Sequence, residues 1–229
     1  MWILLSLIGL LVLLAYYPRW QLQTDIQRWY NALNLKTHEA HYEELYKDID
    51  GFSLSVQARV LHDALEYTYG EIDFVSFIAL LSLTNPDANT IFYDLGSGTG
   101  KAVLACAMVF NVQKSCGIEL FGPLNRVALK QQQRLQKLSA YLAQSNALHF
   151  IHANFLNYDF SEATLIFINA TGFFGDAWLS VQQSLRQLKP GTMIITTSKP
   201  LNSDGFLLIK KTKVQMSWGR VFAFIHHRS

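Results

Sequence analysis

Cysteine is nearly missing: the 229 residues hold only Cys106 and Cys116. A disulfide framework is thereby excluded as the source of stability. Both residues lie in apolar runs and read as buried free thiols of a reducing compartment. Charge is scarce too, at 16% of residues, with 19 Lys and Arg against 17 Asp and Glu. A net charge of +2 lacks the basic excess that marks a dedicated nucleic-acid binder, so no nucleic-acid partner is expected. No internal repeat or low-complexity tract appears. The length suits one α/β domain with a well-buried core and a modest extension.

Charged side chains are absent altogether from the first seventeen residues, MWILLSLIGLLVLLAYY, which lead into Pro18 and Arg19. A basic start and a small-x-small cleavage site are missing as well, which speaks against a removed signal peptide. The expectation is an uncleaved single-pass transmembrane anchor over residues 1–19, short for a bilayer but flanked by Trp2, Tyr16, Tyr17 and Trp20. Arg19, Arg28 and Lys36 follow it, and the positive-inside rule then places the rest of the chain in the cytoplasm.

Beyond the anchor, residues 20–68 read as a helical linker and N-terminal helical region. The apolar stripe Leu54, Val60, Leu61, Ala64, Leu65 and Thr68 predicts a helix capped by Ser53, and a second helix is expected from Asp73 to Leu83. From residue 90 strands and helices alternate: TIFYDL, KSCGIEL, ALHFIH, TLIFIN and GTMIITTS are the β-rich runs, and FLLIKKTKVQ and GRVFAFIHH read as a closing antiparallel hairpin. This order indicates an α/β, doubly wound, mostly parallel sheet.

Ligands in such sheets collect at the carboxyl ends of the strands. Here the first strand runs into YDLGSGTGK, residues 93–101. A Walker loop is excluded, because Leu95 and Ala102 stand where glycine and Ser or Thr are required. The dinucleotide fingerprint is disfavoured, because its third glycine comes one residue early, at Gly100. What remains is Asp94, Gly96, Gly98 and Gly100 after one strand and Glu119 at the tip of the next. That arrangement suits S-adenosylmethionine: glycines admit a bulky ligand, Asp94 faces its cationic end and Glu119 accepts from the ribose hydroxyls. No His, Cys or carboxylate cluster with metal-ligand spacing is singled out.

Over residues 65–227 the chain resembles the Dot1-type protein-lysine methyltransferases. The resemblance rests on YGE (Tyr69 to Glu71), YDLGSGTGK, GIEL, Asn154-Phe155, INATGF, Ser198-Lys199-Pro200 and Ser217-Trp218, in the family's order. It implies a seven-stranded class I methyltransferase domain over residues 69–229, S-adenosylmethionine as donor and a protein lysine as acceptor, in a monomer. Carried over, the cofactor residues are Tyr69, Glu71, Asp94, Gly96, Ser97, Gly98, Gly100, Lys101, Glu119, Asn154, Phe155 and Asn169. Asn169, Phe173 and Trp218 would border the acceptor channel. Asn154 stands where the family usually has aspartate, Thr171 where it has a large aromatic, and Ala223 at the best match to a channel tyrosine.

None of the seven histidines is placed as a general base, so proximity and desolvation of the acceptor amine would carry the reaction. Arg126, Lys130, Arg134 and Lys137 form a basic stripe on the helix after Pro123, read as a solvated face opposite the core stripe Leu124, Val127, Ala128, Leu135, Leu138 and Leu142, with attraction to anionic lipid or an acidic substrate as the alternative. The chain is thus expected to be a membrane-anchored lysine methyltransferase. A lipid, quinone or RNA methyltransferase and a silent cofactor-binding protein are the competing readings.

Overall fold

Alternating apolar runs can bury both faces of a sheet only if helices cross over between them, and the computed structural model shows that solution. It describes residues 21–60, 63–202 and 204–229. The chain divides into two compact units, one ending at His41 and one running from Tyr42 to Ser229. Residues 21–32 of the first unit are helical (α1). A second helix, α2, covers Leu35–Tyr46.

The second unit follows with α3 (Gly51–Ala58), α4 (Phe74–Ser82), β1 (Ile91–Leu95), α5 (Lys101–Val109), β2 (Lys114–Glu119) and α6 (Gly122–Gln136). Then come α7 (Leu142–Asn146), β3 (Leu148–His152), β4 (Leu165–Ile168), α8 (Gly175–Ser184), β5 (Met193–Thr197), β6 (Phe206–Met216) and β7 (Gly219–Arg228). The seven strands form one sheet in the order β3-β2-β1-β4-β5-β7-β6. β1 to β5 pair in parallel, and β7 joins antiparallel between β5 and β6. The doubly wound sheet with a hairpin finish is therefore as expected.

Period-two alternation divides the core. Phe92 and Phe167 meet Phe77 of α4 on one face. Tyr93, Leu95, Ile166, Ile168 and Ile194 meet Val181 and Leu185, at the α8 end, on the other. Both cysteines are buried free thiols, and burial pushes them up to about 12 for Cys106 and about 11 for Cys116.

Four expectations are corrected. The helix foreseen at Leu54–Thr68 runs instead over Gly51–Ala58, capped by Asp50, whose carboxylate accepts from Ser53 N at 3.0 Å and Ser53 Oγ at 2.6 Å. A charged acceptor at the positive end of the helix outcompetes a serine hydroxyl as cap. The apolar stripe beyond it breaks into a turn and a short 3-10 helix at Leu65–Tyr67.

The basic stripe is interrupted as well: Arg134 turns inward and donates to Leu45 O at 2.5 Å and Glu44 O at 3.1 Å. Leu142, expected in the core, is 55% exposed because α6 ends at Gln136.

The membrane reading is overturned. No helix among the described residues is long and apolar enough to cross a membrane. The expected transmembrane anchor, residues 1–19, lies outside the described residues. A membrane partner and a single-pass, cytoplasm-facing placement are therefore withdrawn.

Candidate active site

The carboxyl ends of β1, β2 and β4 open on a cavity of about 420 Å³. Tyr69, Glu71, Asp94, Gly96, Ser97, Gly98, Lys101, Glu119, Asn154, Phe155, Asn169 and Phe173 all line it. Residues scattered over a hundred positions thus meet because the parallel register aligns strand tips: Asp94 stands beside Gly117 on β2 and Phe167 on β4.

The glycine turn is built on its own amides. Gly98 adopts φ +55 and donates to Glu119 Oε2 at 2.7 Å, with the Tyr69 ring directly against it. Glu119 Oε1 accepts from Phe121 N at 2.8 Å, so one carboxylate ties the turn after β1 to the turn after β2. Gly100 does not reach the cavity. At φ +83 it starts α5 where a Cβ would collide with Phe150 and Ala128, and it serves close packing instead.

Asp94 is different. It is 5% exposed and has no hydrogen-bond or ion-pair partner among the described residues. Burial, with Glu119 beside it, pushes its carboxyl up to about 8. Burial also raises Glu119, against the pull of its backbone donors. Two further acids, Glu71 and Asp176, line the same space. Among the described residues the one cation lining it, Lys101, is taken by Glu71 at 2.5 Å. The cavity therefore holds a buried acid without a counterion, whose ionisation costs free energy until a cation is brought beside it.

Residues 69–72 cross the cavity as a strap. The Tyr69 hydroxyl donates to Glu71 Oε1 at 2.6 Å and meets Thr99 Oγ1 at 3.2 Å, and burial together with Glu71 drives its proton affinity far above the ordinary phenol range. Ser217 N donates to Glu71 O at 2.8 Å, and Ile72 bridges Met216. Trp218 does not line the cavity. Its ring lies against Gly70, where any side chain would collide with it, so it backs the strap from outside.

Asn169, at the end of β4, joins strap to sheet. Its Nδ2 donates to Gly70 O at 3.2 Å, while Oδ1 accepts from Thr171 Oγ1 at 2.9 Å and Thr197 Oγ1 at 2.8 Å, and from Thr171 N at 3.4 Å. A carbonyl on one side and a backbone N–H on the other fix the amide's orientation. Thr171 closes the cluster with Ser198, whose φ of 67 turns the chain after β5. Ala223, opposite Thr197, is fully buried beside this cluster.

Phe155 and Phe173 meet edge to face at 6.0 Å and form an aromatic wall. Asn154 caps the short turn carrying Phe155 by accepting from Leu156 N at 2.9 Å. The sequence reading missed Lys199 as a brace: its ammonium donates to the carbonyls of Ala170, Thr171 and Phe173. It missed Tyr67 and Phe121 too, which meet edge to face at 5.1 Å on the cavity wall. Phe121 sits two residues past Glu119, a position that ribose-side geometry alone would have flagged.

An acidic, glycine-floored, aromatic-walled cavity at strand tips fits S-adenosylmethionine, whose ammonium and sulfonium would meet Asp94 and whose ribose would meet Glu119. Comparison with known proteins agrees. The family model "Histone methylation protein DOT1" matches residues 54–220. A Caenorhabditis elegans "Histone-lysine N-methyltransferase, H3 lysine-79 specific" is 33% identical over 139 residues, 58% of this chain but 15% of that protein. A "Protein-lysine N-methyltransferase" of Saccharolobus islandicus is 26% identical over 125 residues, 51% of this chain and 67% of its own length. The chain thus spans only a small part of its histone-directed relative.

Among solved structures, magnesium protoporphyrin IX methyltransferase from Synechocystis, with bound SAM, superposes with a TM-score of 0.53 at 15% identity, covering 80% of this chain and 94% of that one. A SAM-dependent methyltransferase from Thiobacillus denitrificans gives 0.53 at 11% identity, covering 79% and 99%. These likenesses speak for the fold alone. With the family model covering most of the second unit, the chain belongs to the Dot1 family of S-adenosylmethionine-dependent methyltransferases.

Proposed function

We propose that the chain transfers a methyl group from S-adenosylmethionine to a lysine ε-amine of a protein, and that residues 69–229 form its catalytic domain with 20–68 as a helical N-terminal region. The observation that carries the reading is Asp94, a buried carboxyl group without a partner among the described residues, in a cavity lined on one side by Asn169 and Phe173. Asp94 would hold the ammonium end of the donor, with Gly96, Ser97 and Gly98 along the floor. Glu119 would accept from the ribose hydroxyls, and Asn154 and Phe155 would meet adenine.

When bound, S-adenosylmethionine supplies an electrophilic methyl group. The chain's own task is to present a neutral amine to it. A free lysine near pKa 10.4 is ~3.4 units from half neutral at pH 7, about 4.6 kcal/mol. Phe173 and the backbone around it exclude water on the acceptor side and thereby disfavour the ammonium. Asn169 is a positioning residue: with its oxygen filled by three donors, it holds the strap at Gly70 rather than the amine itself.

The test incubates the protein with methyl-labelled S-adenosylmethionine and a crude extract, beside Glu119→Ala, and hydrolyses the products. Methyllysine in the wild-type sample alone supports the proposal. Label recovered in an organic or nuclease-sensitive fraction keeps the fold and cofactor but removes the lysine acceptor.

A further inference from the structure

The C-terminal hairpin is as one-sided in charge as the cavity, with the opposite sign. Residues 205–229 contain Lys210, Lys211, Lys213, Arg220 and Arg228 and no Asp or Glu. In the β6–β7 register Lys211 stands opposite Phe224, Lys213 opposite Phe222 and Gln215 opposite Arg220. Residues directly opposite on an antiparallel pair share a face. One face of the hairpin tip therefore carries Lys211, Lys213 and Arg220 around Phe222, all exposed. No carboxylate pairs with any of these three cations among the described residues.

The two lysines of this face share one aromatic ring. Lys211 Nζ lies 3.9 Å from the Phe222 ring centroid and Lys213 Nζ 5.4 Å. The row continues toward the cavity. Ser198 N donates to Phe222 O at 2.7 Å, and the next residue, Lys199, sets its ammonium 3.5 Å from the ring of Phe174. Phe173, adjoining it, lines the cavity wall. The backbone bond from Ser198 to Phe222 thus ties the hairpin to the segment that braces the wall at Phe173.

We propose that this face docks an acidic segment of the polypeptide substrate, aligning the acceptor lysine with the cavity. The proposal rests on the lysine-transfer reading and adds the chemistry of the sequence around the acceptor. Carboxylates complement the cations, and a ring beneath each ammonium limits its wandering, which lowers the entropy cost of pairing. Nucleobases fit less well, because single-strand binders offer bare aromatic faces for stacking, whereas an ammonium already lies against the Phe222 and Phe174 rings. A second copy of the chain fits less well too: β6 is the sheet edge, and lysines along an edge repel an identical edge.

The experiment uses three synthetic peptides of one length with a central lysine, flanked by glutamates, by serines or by arginines, each also made with glutamine for the lysine. Binding of the glutamine peptides to the full chain is followed by fluorescence anisotropy. Transfer to the lysine peptides is followed with methyl-labelled donor. At low salt the glutamate-flanked peptide is expected to bind about tenfold or more tightly than the serine one, from several rim pairs of a few-fold each. The preference should shrink with added salt. In Lys211→Glu/Lys213→Glu/Arg220→Glu it should invert toward arginine flanks, while affinity for S-adenosylhomocysteine stays unchanged.

Equal binding of the three peptides, or a preference that survives charge reversal, overturns the proposal. So does tighter binding of a single-stranded RNA through the same three cations. Docking of the glutamine peptides without transfer to any lysine peptide upholds the docking face and removes the lysine acceptor.

Discussion

The cofactor cavity and the C-terminal hairpin are built from the same sheet and carry opposite charge. Four acids, Glu71, Asp94, Glu119 and Asp176, surround the cavity against a single lysine. The hairpin holds five Lys and Arg and no acid. A near-neutral chain thus hides two strong local fields, and net charge alone says little about either. On the proposed reading the cavity's acids receive a cationic donor, while Lys211, Lys213 and Arg220 of the hairpin face solvent. Their wiring differs as well. In the cavity Glu119 is fixed by the amides of Gly98 and Phe121 and Glu71 by Tyr69 and Lys101, while Asp94 has no partner among the described residues. On the hairpin Lys211 and Lys213 lie against the Phe222 ring and remain at the surface.

The comparison breaks most sharply at Glu119. Glu119→Ala removes the acceptor proposed for the ribose and strands two amides, so S-adenosylhomocysteine should bind ~10 to 150 times more weakly by calorimetry, from charged hydrogen bonds of about 1.5–3 kcal/mol. Peptide docking at the hairpin should not change.

Lys199→Met tests the link between the regions. Three carbonyls of the Ala170 to Phe173 segment lose their shared donor, and the turnover rate should fall about tenfold through misplacement of the acceptor wall, with a smaller change in cofactor affinity.

Asp94 gives a pH signature. Unfolded, it titrates near 3.9, and folded, near 8, so between these values the folded state holds a proton that the unfolded state has lost. Stability of the free protein should therefore decline as pH rises from about 4 to 8 and level off above. Asp94→Asn should flatten that decline in thermal melts. S-adenosylmethionine should bind with release of a proton near neutral pH, read from calorimetry in buffers of different ionisation enthalpy.

Gly70→Ala should act most gently. It displaces the Trp218 ring that backs the strap, raising the KM for the donor several-fold while leaving the fold intact by circular dichroism.

Much of the cavity was legible because its residues are local to strand ends. Asp94 and the glycines follow β1 directly, Glu119 ends β2, and Asn169 follows β4. What stayed hidden depends on distant partners. The contact of Gly70 with Trp218, the bond from Asn169 to Gly70 and the capture of three carbonyls by Lys199 join segments that only the sheet brings together. The role expected of Trp218 as a channel wall becomes support of the strap for that reason. At α3 the error was local: a serine was chosen as cap although a carboxylate stood three residues ahead of it. Residues 1–20 lie outside the described residues, so their apolar pattern gains no structural counterpart.

The division of labour between acid cavity and basic hairpin is tested most directly by separating the two Michaelis constants. Initial rates with S-adenosylmethionine and the glutamate-flanked lysine peptide would be measured for wild type, Glu119→Gln and the hairpin triple reversal. Glu119→Gln is expected to raise the KM for the donor and leave that for the peptide, and the hairpin variant to do the reverse. Joint movement of both constants in either variant would contradict the account.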